Sequence, residues 1–111
     1  IIFRATADEI SGYSIVKHPK PGESRMSVQI PNTKIIDGVD TTRDLGNNLV
    51  PKKLISTIDA GRTYLLQGAY TSTSVIRKTA KTINGRIVLQ DSNNSTEDFV
   101  NIKATPKAFA N

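Results

Sequence analysis

The sequence predicts an all-β fold, an antiparallel β-sandwich or small Greek-key barrel of about seven to nine short strands. Three observations carry this expectation. Arg25 to Ile30 alternates apolar and polar residues without a break. Asn84-Gly85 stands between two β-prone runs, and both central positions of a type I′ hairpin turn need the positive φ that Asn and Gly tolerate best. No stretch sustains the apolar period of an amphipathic helix.

Taken in order, Ile1-Ile2-Phe3-Arg4-Ala5 reads as a strand already in progress, suited to an edge or exchanged strand. Tyr13 to Lys17 is a second strand-like run. His18-Pro19-Lys20-Pro21-Gly22-Glu23 ends it, because two prolines remove ladder donors and fix φ. In the strand Arg25 to Ile30, the alternation assigns Met26, Val28 and Ile30 to the buried face and Arg25, Ser27 and Gln29 to solvent. Pro31-Asn32 stops it, and Lys34 to Val39 forms a further short strand.

Asp40 to Asn48 is polar and reads as the longest loop, with a brief helical turn capped by Thr41 or Thr42 as the alternative. Leu54-Ile55-Ser56-Thr57-Ile58 resumes the apolar pattern. Asp59-Ala60-Gly61-Arg62 follows as a turn, in which Asp bonds its own backbone and Gly takes the left-handed position. Thr63 to Tyr70 reads as a central strand, with Gly68 marking a bulge or a close backbone approach. After the Asn84-Gly85 hairpin, Asp91 to Asp98 is a loop rich in Asn, Ser and Thr. Phe99 to Ala104 is the last strand, with Val100, Ile102 and Ala104 on one face. Residues 105–111 read as a flexible tail, and residues 1–111 as a single β domain.

Composition limits the chemistry. The chain has no cysteine, which removes thiolate catalysis, disulfides and cysteine-based zinc sites. His18 is the sole histidine and lies beside Lys17 and Pro19-Lys20, with no identifiable partner for a general base. Phosphate-binding and dinucleotide-binding glycine patterns are missing, as are the HExxH and GxSxG motifs. Asp37, Asp40 and Asp44 share one segment, but their spacing is not that of an EF-hand and Arg43 lies among them. Turn formation accounts for them better than calcium does. Asn93 and Asn94 begin two overlapping N-x-[ST] tripeptides, a common chance product of such loops. The chain therefore reads as non-enzymatic, with no catalytic residue, metal or cofactor assigned. No apolar run approaches the length of a membrane span.

Fifteen Lys and Arg against ten Asp and Glu give a formal charge of +5, a balance that favours polyanion contact. In a two-residue hairpin Ile83 opposes Arg86, Thr82 opposes Ile87, Lys81 opposes Val88 and Ala80 opposes Leu89. That register assigns Ile76, Ala80, Thr82, Ile87 and Leu89 to the core. It assigns Arg77, Thr79, Lys81, Arg86, Val88 and Gln90 to the outer face, and Lys78 to the rim opposite Asp91. Arg77, Lys81 and Arg86, with Lys52 and Lys53, are the candidate residues for binding a polyanion or protein partner. No aromatic residue interleaves with them, as stacking on single-stranded nucleic acid would require.

The Thr, Ser and Asn richness, without Cys or Trp, resembles exported bacterial, pilus-like or virion structural β-domains. The expected function is a non-enzymatic structural or interaction module of an exported, surface or virion assembly. Its partners would be other protein subunits, in an oligomer. The alternative is a basic OB-like or β-ribbon nucleic-acid binder.

Overall fold

The computed structural model describes residues 1–42, 51–68 and 70–105. The predicted loop Asp40 to Asn48 lies largely outside the described residues, and the predicted tail almost wholly so. Within them the chain is mostly strand with little helix. The strands are β1 (Ile2–Phe3), β2 (Ile15–Lys17), β3 (Met26–Val28), β4 (Ile35–Asp37), β5 (Thr41–Thr42), β6 (Thr63–Tyr64), β7 (Thr73–Arg77), β8 (Thr79–Ile83), β9 (Arg86–Leu89) and β10 (Phe99–Lys103). They pair as five separate two-stranded ladders: β1 with β4, β2 with β3, β5 with β6, β7 with β10 and β8 with β9. All are antiparallel except β5–β6.

Two short α-helices, and a 3-10 turn at Asn32–Lys34, interrupt the strands among the described residues. The first, α1 (Ala7–Ser11), starts at a capping box: the Thr6 hydroxyl accepts from the Glu9 N–H, and the Glu9 carboxylate accepts from the Thr6 N–H. Thr6-x-x-Glu9 is a local helix-start signal that carries no sustained apolar period. The second, α2 (Ser95–Asp98), is capped by Asn94 and replaces the expected loop with a single turn.

One apolar run and one predicted strand take turn geometry for local reasons. In Leu54–Ile58 the N–H groups of Ile58 and Asp59 both return to the Ile55 carbonyl, which makes a turn. Thr63–Tyr70 keeps a ladder only at Thr63–Tyr64. The Gly68 N–H then bonds the Leu65 carbonyl, and Gly68 takes φ +77°. Conversely, Thr73–Arg77 forms a full partner for β10, in register from Phe99↔Arg77 to Lys103↔Thr73.

The face of β3 is inverted relative to its alternation pattern. Val16 of β2 is half-buried and stands opposite Ser27, so register carries Ser27 inward and turns Met26 and Val28 outward. Ile15, Met26 and Val28 are 65%, 60% and 45% exposed. Apolar side chains close instead around Gly38, where an added Cβ would lie 2.9 Å from Leu54 Cδ1, 3.0 Å from Ile1 Cγ2 and 3.5 Å from Ile58 Cγ2.

The largest fully buried side chains are polar: Asp59, Asp98 and Ser95. Asp59 follows the Ile55–Ile58 turn, and Ser95 and Asp98 bound α2, so among the described residues the most deeply buried polar side chains lie on two connecting segments.

Candidate functional site

The Asn84-Gly85 hairpin forms as the residues require. Asn84 has φ 50° and Gly85 φ 77°, and Ile83↔Arg86, Thr82↔Ile87 and Lys81↔Val88 pair in the expected register. Beyond Lys81 the register slips, and Leu89 faces Thr79 in place of Ala80. Ala80 is thus the extra residue of a bulge, which breaks strict alternation along the strand.

The three cations expected on one face are divided between two ladders, Lys81 and Arg86 in β8–β9 and Arg77 in β7–β10. Lys81, Ile83, Arg86 and Val88 share one face, with Lys81 and Arg86 as diagonal neighbours about 7–8 Å apart. Both are exposed, and neither side chain bonds or pairs with any described residue. Arg77 lies below the bulge and is held in place. Its guanidinium donates to the Gln90 carbonyl at 2.9 Å, pairs with Asp91 at 3.3 Å and sits 4.9 Å above the Phe99 ring. Asp91 therefore belongs to Arg77 and not to Lys78. The backbone of Lys78 instead bridges the Asp98 carbonyl and the Gln90 N–H.

The expected core face of the hairpin is also revised. Ile76 and Ile87 are half-buried, but Ala80, Thr82 and Leu89 are exposed. Val88, expected outside, is half-buried. The two strands pack chiefly on each other, and the turn end of the ribbon, residues 80–86, is exposed.

Lys52 and Lys53 part company. The Lys52 ammonium donates to the Leu54 carbonyl at 2.9 Å and to the Asp59 carbonyl, closing the turn between them. Lys53 is exposed and lines a groove of about 480 Å³ between the β2–β3 ribbon and Ile35 of β4.

The acid-rich turns do structural work. Oδ1 of Asp59 accepts from the N–H groups of Gly61 (3.0 Å) and Ser95 (2.8 Å), and Oδ2 accepts from the Asp40 N–H (2.7 Å). Burial by itself would raise the Asp59 carboxyl, but these donors outweigh it and hold it below the usual carboxylate range. Asp98 behaves likewise: burial raises its carboxyl, and bonds from the Ser92 N–H (2.9 Å), the Ser92 hydroxyl (2.7 Å) and Gln90 (3.1 Å) lower it further than burial raises it.

Gly61 adopts no left-handed conformation. It is glycine because a Cβ would lie 2.7 Å from the Thr96 nitrogen and against Asn94 Oδ1. Beside it the Arg62 Nε donates to Asp40 Oδ1 at 2.7 Å in a largely buried ion pair. Asp37 caps its own turn at the Gly38 N–H. Among the described residues no group of three or more His, Asp or Glu is placed to hold a metal ion. Asp44 and Arg43 lie outside them. The half-buried His18 accepts a bond from the Lys20 N–H through Nδ1 at 3.2 Å.

The features outside these turns are therefore a cationic hairpin, an exposed apolar ribbon face and a basic-rimmed groove. A family model described as "Protein of unknown function (DUF4876)" matches residues 1–107. The chain belongs to that family. No curated protein and no solved structure matches it. No helix among the described residues of this DUF4876 member is long and apolar enough to cross a membrane.

Proposed function

We propose that the chain is a non-enzymatic interaction module that assembles with other protein subunits through its open β-ribbons. The observation that carries this reading is the outward face of β2–β3. Ile15 and Val28 stand directly opposite each other, with Met26 two residues along the same face, and all three are exposed. A contiguous exposed apolar face is costly in water and marks a surface that is covered in the working state.

The edges of the ribbon support the same reading. Ser14↔Gln29 and His18↔Arg25 are hydrogen-bonded positions. Antiparallel alternation therefore turns the backbone polar groups of Ile15, Lys17, Met26 and Val28 outward, where another strand can take them. A partner's strands would complete the sandwich or barrel that the strand pattern suggests.

The test is oligomeric state by size-exclusion chromatography with light scattering. The parent is expected to assemble, and an Ile15→Ser, Met26→Ser, Val28→Ser variant to run as a monomer. A parent that remains monomeric at high concentration and exposes no surface to apolar dyes overturns the proposal.

A second reading rests on Lys81 and Arg86, exposed cations with no partner among the described residues, on a β-ribbon of the kind that can follow a phosphate backbone. It requires nucleic-acid binding that weakens steeply with salt and is lost in the Lys81→Ala, Arg86→Ala variant. Retention of nucleic acid by that variant, or no binding by the parent, eliminates it.

A further inference from the structure

We infer that the groove between the β2–β3 ribbon and β4 docks an extended polypeptide segment of a partner protein in which apolar and acidic residues alternate. The groove takes in residues of both faces of the ribbon, Val16 and Ser27 of the inner face and Lys17 and Val28 of the outer one. Val16, Ile30, Ile35 and Leu54, all half-buried, line it together with Lys17 and Lys53. No Asp or Glu lines it. Neither lysine ammonium pairs or bonds with any described residue.

An apolar floor with unpaired cations asks for an occupant that is apolar on one side and anionic on the other. The volume, about 480 Å³, falls within the roughly 300–1,000 Å³ typical of ligand sites. The groove is open to solvent along one side, which separates the two chemistries that could bear a carboxylate. A small apolar acid would leave much of its surface in water. An extended peptide presents alternate side chains to opposite sides, so its apolar residues face the floor and its acidic residues meet Lys17 and Lys53. Such charge pairs at a rim contribute orientation and partner choice more than affinity.

This assignment rests on reading the chain as an interaction module, and the two fail separately. Loss of assembly is read by light scattering on an Ile15→Ser, Met26→Ser variant, neither residue of which lines the groove, and loss of docking by peptide binding.

The experiment is fluorescence anisotropy with a labelled heptapeptide alternating Leu and Glu, beside Leu/Lys and Ser/Glu counterparts and decanoate as a competitor. The parent should bind the Leu/Glu peptide, and bind it about tenfold more tightly than either counterpart, as two rim pairs allow. Decanoate should not displace it. In the Lys17→Glu, Lys53→Glu variant the preference should invert toward Leu/Lys. Both lysines are exposed, so the variant keeps the fold. Failure of the parent to bind, equal binding of Ser/Glu, displacement by decanoate or an unchanged preference in the variant overturns the assignment.

Discussion

The Ser95 N–H donates to Asp59 Oδ1 at 2.8 Å across 36 positions of chain, and each residue is 1% exposed. With the Ala60 N–H bonded to the Asn93 carbonyl at 2.7 Å and Thr96 Oγ1 bonded to both the N–H and the carbonyl of Arg62, this bond ties segment 59–62 to segment 93–96. A buried carboxylate that accepts three backbone N–H bonds is stable where it sits and intolerant of change.

Asp59→Asn tests that intolerance. The amide keeps one acceptor and turns donors toward a site where the Asp40 N–H already points. The expected loss is about 2–3 kcal/mol of folding stability, read as a lower urea midpoint with an unchanged slope. A midpoint within error of the parent would show that the tie does not hold the fold.

Gly61→Ala probes the same tie sterically. Its Cβ meets the Thr96 nitrogen and the Asn94 cap oxygen, so α2 must shift or lose its cap, a loss of about 1–3 kcal/mol. Hydrogen exchange should accelerate first at Thr96, Glu97 and Asp98, whose N–H groups bond Asn94.

Acid should weaken the protein in a defined window. Asp59 and Asp98 are both depressed in the folded state. Their contribution is therefore fully present above the unfolded carboxylate value of about 3.9. As pH falls below that value toward the lower folded values, protonation of the unfolded chain draws the equilibrium away from the native state. Urea midpoints measured from neutral pH downward should be flat and then drop in the acid limb. Asp59→Ala should flatten that drop.

The three hairpin cations should separate in their effects. Arg77→Ala removes a carbonyl bond, an ion pair and a ring contact in one step, and should cost about 1–3 kcal/mol. Lys81→Ala with Arg86→Ala removes only exposed charge and should stay within about 0.5 kcal/mol of the parent. Thermal melts of the two variants decide this.

The parts of the fold written in short-range chemistry were legible. Asn84-Gly85 specified its turn, and Phe99 to Lys103 its strand, because in each the residues bearing the signal are neighbours in sequence. The orientation of β3 was not legible. Alternation says that Met26 and Val28 share a face, but only the pairing of Ser27 with Val16 decides which face is inside. Residue counting groups Arg77 with Lys81, but Arg77 ends β7 and pairs with Phe99 of β10, a long-range pairing that no local pattern shows. Asp59 was recognised as a turn residue, and its Gly61 bond matches that role. Its bonds to Asp40 and Ser95 come from distant segments that no local pattern connects. Lys52 and Lys53 look alike in sequence, yet one closes a turn and the other lines the groove.

The outward turn of Ile15, Met26 and Val28 has a calorimetric consequence. The positive heat-capacity change of unfolding comes from apolar surface newly wetted, and these side chains are already wet in the isolated chain. Unfolding should therefore show a smaller heat-capacity increment per residue, and a flatter dependence of stability on temperature, than ordinary domains of this length. The missing increment should reappear with opposite sign when a partner covers the ribbon, as a negative heat-capacity change on binding.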